Sequence, residues 1–396
     1  MKKRQNKRGL RLLLSMLFLV LIAAGLLIYW LWSRPTGESV KEAKRDSETE
    51  EQPKEELEEA TESTEIQLSS QIPETEQGPQ LVSVTISAAG DCTFGPTHTH
   101  GYSGSFHQYY DNNGEDYFFA GVKDVFQEDD FTLVNLECAL TNEESHMDKE
   151  FCLKGKPEYA QILPRAFIEG VSMANNHTWD YFDQGLADTK NAVTAAGVSY
   201  AYYDETATYT TETGITIGWV SSSFLSYGED RVAYMKNGIE ALRAQGVDLV
   251  IACCHWGIER TYYPEEYQQT MAHNCIDWGA DLVLGCHPHV IQGCEVYNGK
   301  VIVYSMGNFC FGGNSNPSDK NSMIYQQTFH FADGVLQPEL DAKIIPCTVS
   351  STLEYNDYQP TIAEAERRLE ILKLMNEYSD PYGTASFDEL GNLVQR

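Results

Sequence analysis

Five short apolar runs in this chain each end in a residue able to bind a metal ion or move a proton. Val82, Val84, Ile86 and Ala88 lead to Gly90-Asp91, and Phe131 to Leu136 leads to Glu137 in Asn135-Leu136-Glu137. Val171 to Ala174 is followed by Asn175-Asn176-His177, Leu249 to Cys254 by His255-Trp256-Gly257-Ile258-Glu259, and Leu282 to Leu284 by Gly285-Cys286-His287-Pro288-His289. Carboxylate, amide and imidazole donors of this kind hold Zn, Mn or Fe. Taken singly each carries little, because an Asp after a strand is ordinarily a turn or cap residue and a buried His is ordinarily a hydrogen-bonded core residue. Ligands in open α/β sheets collect beyond the carboxyl ends of the strands. Five successive strand ends with such donors therefore make a shared metal site the expectation.

Those donors converge only if the apolar runs are neighbouring strands. Residues 82–88 alternate apolar side chains with Ser83, Thr85 and Ser87, the period of a half-buried strand, and the strand is expected to stop at Gly90-Asp91. Ile215 to Val220 forms a further run. Helical segments lie between: one from Asp183 to Gly197, one through Ile239 to Arg243 and on to Gly246, and one from Pro264 to Gly279, with proline at the start and glycine at the stop. Strand and helix alternate, as in α/β folds. Val296-Tyr297-Asn298-Gly299-Lys300-Val301 sets an Asn-Gly turn between two β-rich runs, a hairpin signal, so the sheet system is mixed. Residues 361–377 read as an amphipathic packing helix with Ile362, Leu369, Leu372 and Met375 near one face.

The N-terminal part has a different character. Residues 1–11 form a basic tail, and residues 12–32 are an almost uncharged apolar run, about the length needed to span a bilayer core. The positive flank predicts a cytoplasmic N-terminus, with everything beyond Arg34 outside. A cleaved signal peptide is the competing reading, but the run ends in Ile-Tyr-Trp-Leu-Trp instead of small residues. Residues 33–80 read as an acidic disordered stalk, with 14 acidic and 4 basic side chains over 36–80 and almost no aromatic residues. The 316 residues beyond carry 44 acidic and 17 basic side chains, a charge that excludes nucleic acid as a partner and repels acidic polymers unless cations mediate the contact. The 10 cysteines do not form a dense disulfide framework, and most read as free buried thiols, with one or two disulfides, whose pairing the sequence does not fix, as the alternative.

Gly90-Asp91, Asn135-Leu136-Glu137, Ala174-Asn175-Asn176-His177, His255-Trp256-Gly257 with Glu259, Gly285-Cys286-His287-Pro288-His289 and Tyr304-Ser305-Met306-Gly307-Asn308-Phe309 occur in the order seen in the CapA family of poly-γ-glutamate capsule proteins. The chain resembles that family over about residues 82–312. The family is similar to the calcineurin-like metallophosphoesterases, which implies a four-layer αββα sandwich of two mixed sheets over residues 81–350, with 351–396 as a helical extension packed on it. The resemblance puts Glu137 where the superfamily has its metal-bridging aspartate. Asn176, His255 and His287 complete one metal's ligands, and a second metal would draw on Asp91, Glu137 and His289. The superfamily's first motif has a His two residues after its Asp; here that residue is Thr93, so the second set is incomplete. His98 and His100 lie nearby, either compensating or belonging to a loop with no assigned role. His177 is implied as the group that steadies developing charge or protonates the leaving group. Glu259 would orient a metal-bound histidine or add a ligand, and Asp180 would support the site or cap a helix. Substrate contacts fall to Asn175, Asn308 and Lys154, the last being otherwise a solvated surface lysine.

The functional expectation is a membrane-anchored extracytoplasmic protein in the biosynthesis or processing of poly-γ-glutamate or another anionic cell-surface polymer. Its activity would be that of a hydrolase using a water activated by Mn, Zn or Fe, on phosphate esters or on the γ-glutamyl amide. Membrane polymer-synthase subunits are the expected protein partners. The alternative is a non-catalytic metal-binding accessory for polymer export or anchoring.

Overall fold

The computed structural model of the chain describes residues 78–225 and 228–396. The basic tail, the apolar run 12–32 and all but the last three residues of the acidic stalk lie outside the described residues. Among the described residues no helix is long and apolar enough to cross a membrane.

Two mixed sheets carry the fold. The nine-stranded sheet holds β1 (Leu81–Thr93), β2 (Phe131–Leu136), β3 (Gly170–Ser172), β4 (Ser199–Ala201), β11 (Asn308–Phe311), β12 (Asn321–Ala332), β13 (Asp341–Thr348) and β14 (Thr361–Ile362), with Val335–Leu336 hooked onto β12. The strands β1 to β4 run parallel side by side, while β12 lies antiparallel to β1 along Leu81 to Ala89. The six-stranded sheet holds β5 (Ala207–Thr210), β6 (Thr216–Ser223), β7 (Leu249–His255), β8 (Leu282–Cys286), β9 (Cys294–Tyr297) and β10 (Lys300–Val303), in the order β9, β10, β8, β7, β6, β5. Its inner four strands are parallel and its two edges antiparallel.

Period-two patterning explains the layers. One set of alternate residues faces the other sheet: Val84, Ile86, Phe131 and Leu133 pack with Trp219, Ile251, Leu282 and Leu284. Their sequence neighbours face outward. Ala89, Val134 and Val171 meet Phe106 of α1 (Phe106–Asn113) and Val193 of α2 (Phe182–Ala195) in a second core. Val220, Val250, Ala252 and Val283 meet Met235, Ile239 and Leu242 of α3 (Glu229–Ala244) and Met271 and Cys275 of α4 (Glu266–Asp277) in a third. Strands buried on both faces read as continuous apolar runs, as β7 does up to His255, while β2 is buried throughout although Thr132 and Asn135 interrupt its run. Each such Val, Leu, Ile or Phe contributes roughly 1.5–3 kcal/mol by its burial.

The expected punctuation is present. Asn298 (φ 49°) and Gly299 (φ 74°) make the tight turn between β9 and β10. Left-handed Gly197, Gly246 and Gly279 follow the ends of α2, α3 and α4. Two expectations need correction. β1 does not stop at Gly90-Asp91 but continues to Thr93, because the Asp91 N–H donates to the Gly307 carbonyl and β1 gains β11 as a parallel neighbour. The C-terminal helix α5 (Ala365–Ser379) buries Ile371, Leu372, Met375 and Tyr378 in the core between the sheets, while Leu369 is 50% exposed and Ile362 lies on β14. Leu369 precedes Ile371 by two residues, about 200° around a helix, so both cannot face the same core. All ten cysteines are buried free thiols.

Candidate metal centre

The carboxyl ends of the parallel strands open on one edge. Register puts Asp91 opposite Asn135 on β2 and opposite Asn308 on β11, and His255 opposite Cys286 on β8. Two glycines permit the close approach of the chains behind them. A Cβ on Gly90 would sit 1.9 Å from the Gly307 carbonyl oxygen, and one on Gly285 would sit 2.0 Å from that of Tyr304. Beyond β8 the chain turns sharply: His287 (φ 98°) and His289 (φ 57°) are both left-handed, on either side of Pro288. Such non-glycine conformations cost about 1–3 kcal/mol each and persist where the surroundings enforce them.

Glu137 is the centre of the arrangement. It is fully buried, and neither carboxylate oxygen has a hydrogen-bond partner. Its Oε1 lies 3.5 Å from His255 Nε2 and 3.9 Å from His289 Nε2. Donor atoms of Glu137, His287 and His289 all lie within 4.8 Å of one another. Asn176 Oδ1 is 2.7 Å from His255 Nε2, and the buried His287 Nδ1 also lacks a partner. Asp91 is different, because protein donors already engage it. Asn135 Nδ2 donates to its Oδ1 at 2.8 Å, while the His287 N–H donates at 3.2 Å to Oδ2, which lies 3.1 Å from His289 Nδ1.

These environments drive the titrating groups apart. Burial, then the charge of Asp91, pushes the Glu137 carboxyl well above its ordinary value. Burial alone would raise Asp91 as well, but the His289 hydrogen bond and the His289 and His255 rings outweigh it and hold Asp91 below the usual carboxylate range. Burial lowers His255 strongly, with His287 adding to the effect, and brings His287 to about 4. Both rings are therefore neutral at pH 7, as ligation requires. Burial works against the charged form of His289 too, but the Asp91 hydrogen bond and charge outweigh it and raise that ring's pKa. Burying an ion without a partner is costly, so two orphaned Glu137 oxygens beside the neutral His255 and His287 rings and an amide oxygen fit a divalent cation.

His177 is buried at the cleft wall, where its Nδ1 lies 2.8 Å from Asp180 Oδ2. Burial lowers its pKa despite that carboxylate. Asp180 also forms an ion pair with Lys149 and accepts the Leu153 N–H at 2.7 Å, so it positions His177 and the neighbouring loop together.

Several expected roles change. Asn175 is spent on structure: its Nδ2 donates to Asn135 Oδ1 and the Leu136 carbonyl, and its Oδ1 accepts the N–H groups of His177 and Thr178. Asn308 lines the cleft, and its Oδ1 accepts from His289 Nδ1 at 2.9 Å, which orients that ring. The Lys154 ammonium donates to the Glu143 carbonyl and pairs with Glu144 at 3.1 Å. Glu259 does not orient a histidine. The chain turns outward after buried Trp256, through left-handed Gly257, and Glu259 is exposed on the cleft rim. Thr93 is fully buried with its hydroxyl accepting the Gly313 N–H at 2.8 Å. His98 does not compensate for Thr93, because it groups with His146 and Cys152, and His100 is exposed. Three residues escaped the sequence reading. Asn135 stood inside a quoted motif but reads there as a strand residue, Lys149 lies in a loop without periodicity, and Arg260 simply follows Glu259. Arg260 lines the cleft with Phe151, His177 and His289, and among the described residues its guanidinium has no hydrogen-bond or ion-pair partner.

The sequence pattern of the family described as bacterial capsule synthesis protein PGA_cap matches residues 85–313, and the chain belongs to that family. It is 31% identical over 223 residues to the PGA biosynthesis protein CapA of Bacillus subtilis, covering 51% of this chain and 58% of that protein. It is 26% identical over 255 residues to a probable polyglutamine synthesis accessory protein of Mycobacterium tuberculosis, covering 56% of this chain and 66% of that one. The chain thus matches less than two thirds of the length of these relatives. Among solved structures it is similar to a hypothetical protein from Thermus thermophilus, at 14% identity and a TM-score of 0.42, over 66% of this chain and 99% of that one.

Proposed function

We propose that the chain is a divalent-metal-dependent hydrolase in the biosynthesis or processing of poly-γ-glutamate or a related anionic cell-surface polymer. Residues 12–32 would hold it in the cell membrane with the domain outside, beside the polymer-synthase subunits. The observation that carries the enzymatic reading is Glu137, fully buried with two unpartnered oxygens among histidines. Glu137, Asn176, His255 and His287 would hold one Zn, Mn or Fe ion, with His289 alongside. Such an ion supplies Lewis acidity and a nucleophilic water at neutral pH.

The remaining work falls to side chains of this chain. Asp91 and Asn308 would fix the His289 ring through Nδ1, in the manner of a carboxylate behind a ligating histidine. His177, held through Nδ1 by Asp180, would face the leaving group at the cleft wall with Nε2 and protonate it from its imidazolium form, which the Asp180 carboxylate stabilises. Arg260 would draw an anionic substrate to a cleft in a domain that is otherwise strongly acidic. Phosphate esters and the γ-glutamyl amide would both suit this arrangement.

The second reading is a metal-binding accessory for polymer export or anchoring. Thr93 favours it, since a hydroxyl already engaged by Gly313 is a poor substitute for an imidazole ligand. The test is metal content of residues 81–396 for wild type and His255→Ala, together with turnover of a phosphodiester and of poly-γ-glutamate with Mn or Zn. About one equivalent in wild type, lost in the variant, with turnover that follows the metal, supports the hydrolase. Metal without turnover supports the accessory, and no metal in either protein overturns both.

A further inference from the structure

A second cluster of metal-ligating side chains lies apart from the Glu137 group. His98, His146 and Cys152 come from two segments, and one ligand atom from each lies within 4.8 Å of the others. The juxtaposition is built by the backbone. Thr97 and Leu153 form an antiparallel bridge, and the His98 N–H donates to the Cys152 carbonyl at 3.0 Å, which puts His98 directly opposite Cys152. The irregular segment 141–152 then brings His146 back over the pair, with the His98 and His146 ring centroids 4.3 Å apart. His146 Nδ1 lies 2.8 Å from the Met147 carbonyl. A carbonyl only accepts, so Nδ1 carries the proton and the lone pair resides on Nε2, the tautomer a metal-bound histidine adopts when backbone holds its other nitrogen.

We propose that His98, His146 and Cys152 bind a zinc-type divalent ion, with water in the fourth position, and that this ion ties the 97–100 segment to the 141–153 loop. One thiolate and two imidazoles select a borderline-soft cation such as Zn over Mg or Ca. Zn–S and Zn–N bonds of about 2.3 and 2.0–2.1 Å require only a modest contraction of the present spacing. Binding converts the Cys152 thiol to a thiolate and releases one proton. The Cys152 thiol donates to the Met147 carbonyl at 3.3 Å, the same carbonyl that accepts from His146 Nδ1, so backbone already holds these two ligands side by side, and a shared ion would replace the thiol proton.

The position has a consequence for the cleft. The same loop supplies Phe151 and Leu153 to the cleft wall, and it is tied to Asp180 by the Met147 N–H to the Asp180 carbonyl, by the Leu153 N–H to Oδ2 and by the Lys149 ion pair. Since Asp180 holds His177, an ion at Cys152 stiffens the element that positions His177. The proposal does not depend on the Glu137 centre, which contains no thiol ligand.

The experiment is cobalt titration of the metal-stripped full chain in detergent, followed by absorption spectroscopy, for wild type, Cys152→Ser, the double variant His98→Ala/His146→Ala, and His255→Ala. The expected result is a thiolate-to-cobalt charge-transfer band in wild type and His255→Ala, lost with about one equivalent of bound cobalt in Cys152→Ser and in the double variant. The two histidines are exposed, so the double variant decides the matter if Cys152→Ser fails to fold. Absence of the band in wild type, or its persistence in either cluster variant, overturns the proposal. Failure of the Glu137 reading would show separately, as unchanged cobalt stoichiometry in His255→Ala.

Discussion

Glu137→Gln should make the metal-free protein more stable and the metal-loaded protein less responsive. Glu137 is fully buried with both oxygens unpartnered, and burial together with Asp91 raises its pKa well above the ordinary carboxylate value. An unfolded glutamate ionises near pH 4.3. Between that pH and the raised folded value the native state binds a proton that the unfolded state has lost, so stability falls as pH rises through the window. At pH 8 without metal, glutamine removes that penalty, about 2–3 kcal/mol for a buried carboxylate without a donor. A domain of this size moves by roughly 2 °C per kcal/mol, which predicts a Tm about 4–6 °C above wild type in chelator. Saturating Mn or Zn at about 100 times Kd adds about 2.7 kcal/mol to wild type, whereas the variant, lacking the central anion, gains little. Melting curves of both proteins with chelator and with metal, at pH 8 and again near pH 5, read the effect directly. The difference in chelator should shrink at the lower pH. A variant that melts below wild type in chelator, or that gains as much from metal, would refute the assignment of Glu137 as the central ligand.

His177→Gln should retain bound metal and melt near wild type while kcat falls by about 10²–10⁴, the usual contribution of a positioned proton donor; metal loss in this variant would count against its role in proton transfer. Arg260→Ala should raise KM for an anionic polymer about tenfold, some 1.4 kcal/mol, with kcat kept, and steady-state kinetics at two salt concentrations distinguish this from a general loss of activity. Away from the centre, burial pushes both Asp129 and Glu169 up to about 7. Their folded values exceed their unfolded ones, so stability is lost as pH rises from about 4 through 7. Asp129→Asn should therefore stabilise the fold at pH 8 by up to ~4 kcal/mol, with a higher Tm, and leave it nearly unchanged at pH 4; equal shifts at both values would contradict this account.

The sequence alone carried the donors and their frame. Asp91, Glu137, Asn176, His255, His287 and His289 were legible because each follows an apolar run, and an apolar run of strand length ends at a sheet edge. The Asn298-Gly299 hairpin and the glycine stops of α2, α3 and α4 were legible for a local reason, since backbone sterics act over a few residues. Sheet order was not. The alternation in Tyr325-Gln326-Gln327-Thr328-Phe329-His330-Phe331 marks a strand, yet nothing in it says that β12 lies against β1. That neighbour is chosen by burial of two faces at once, which depends on the whole chain. Individual roles were also decided by tertiary structure. Asn175 and Asn308 have the same side chain as Asn176, but their polar atoms are engaged by Asn135, Thr178 and His289, while Asn176 keeps its oxygen beside His255. Lys149, Arg260 and the His98, His146, Cys152 cluster follow no period, because loops meet through packing and not through repeat. A residue's type states what it is able to bind; the partners its other atoms find in three dimensions determine what it is left free to do.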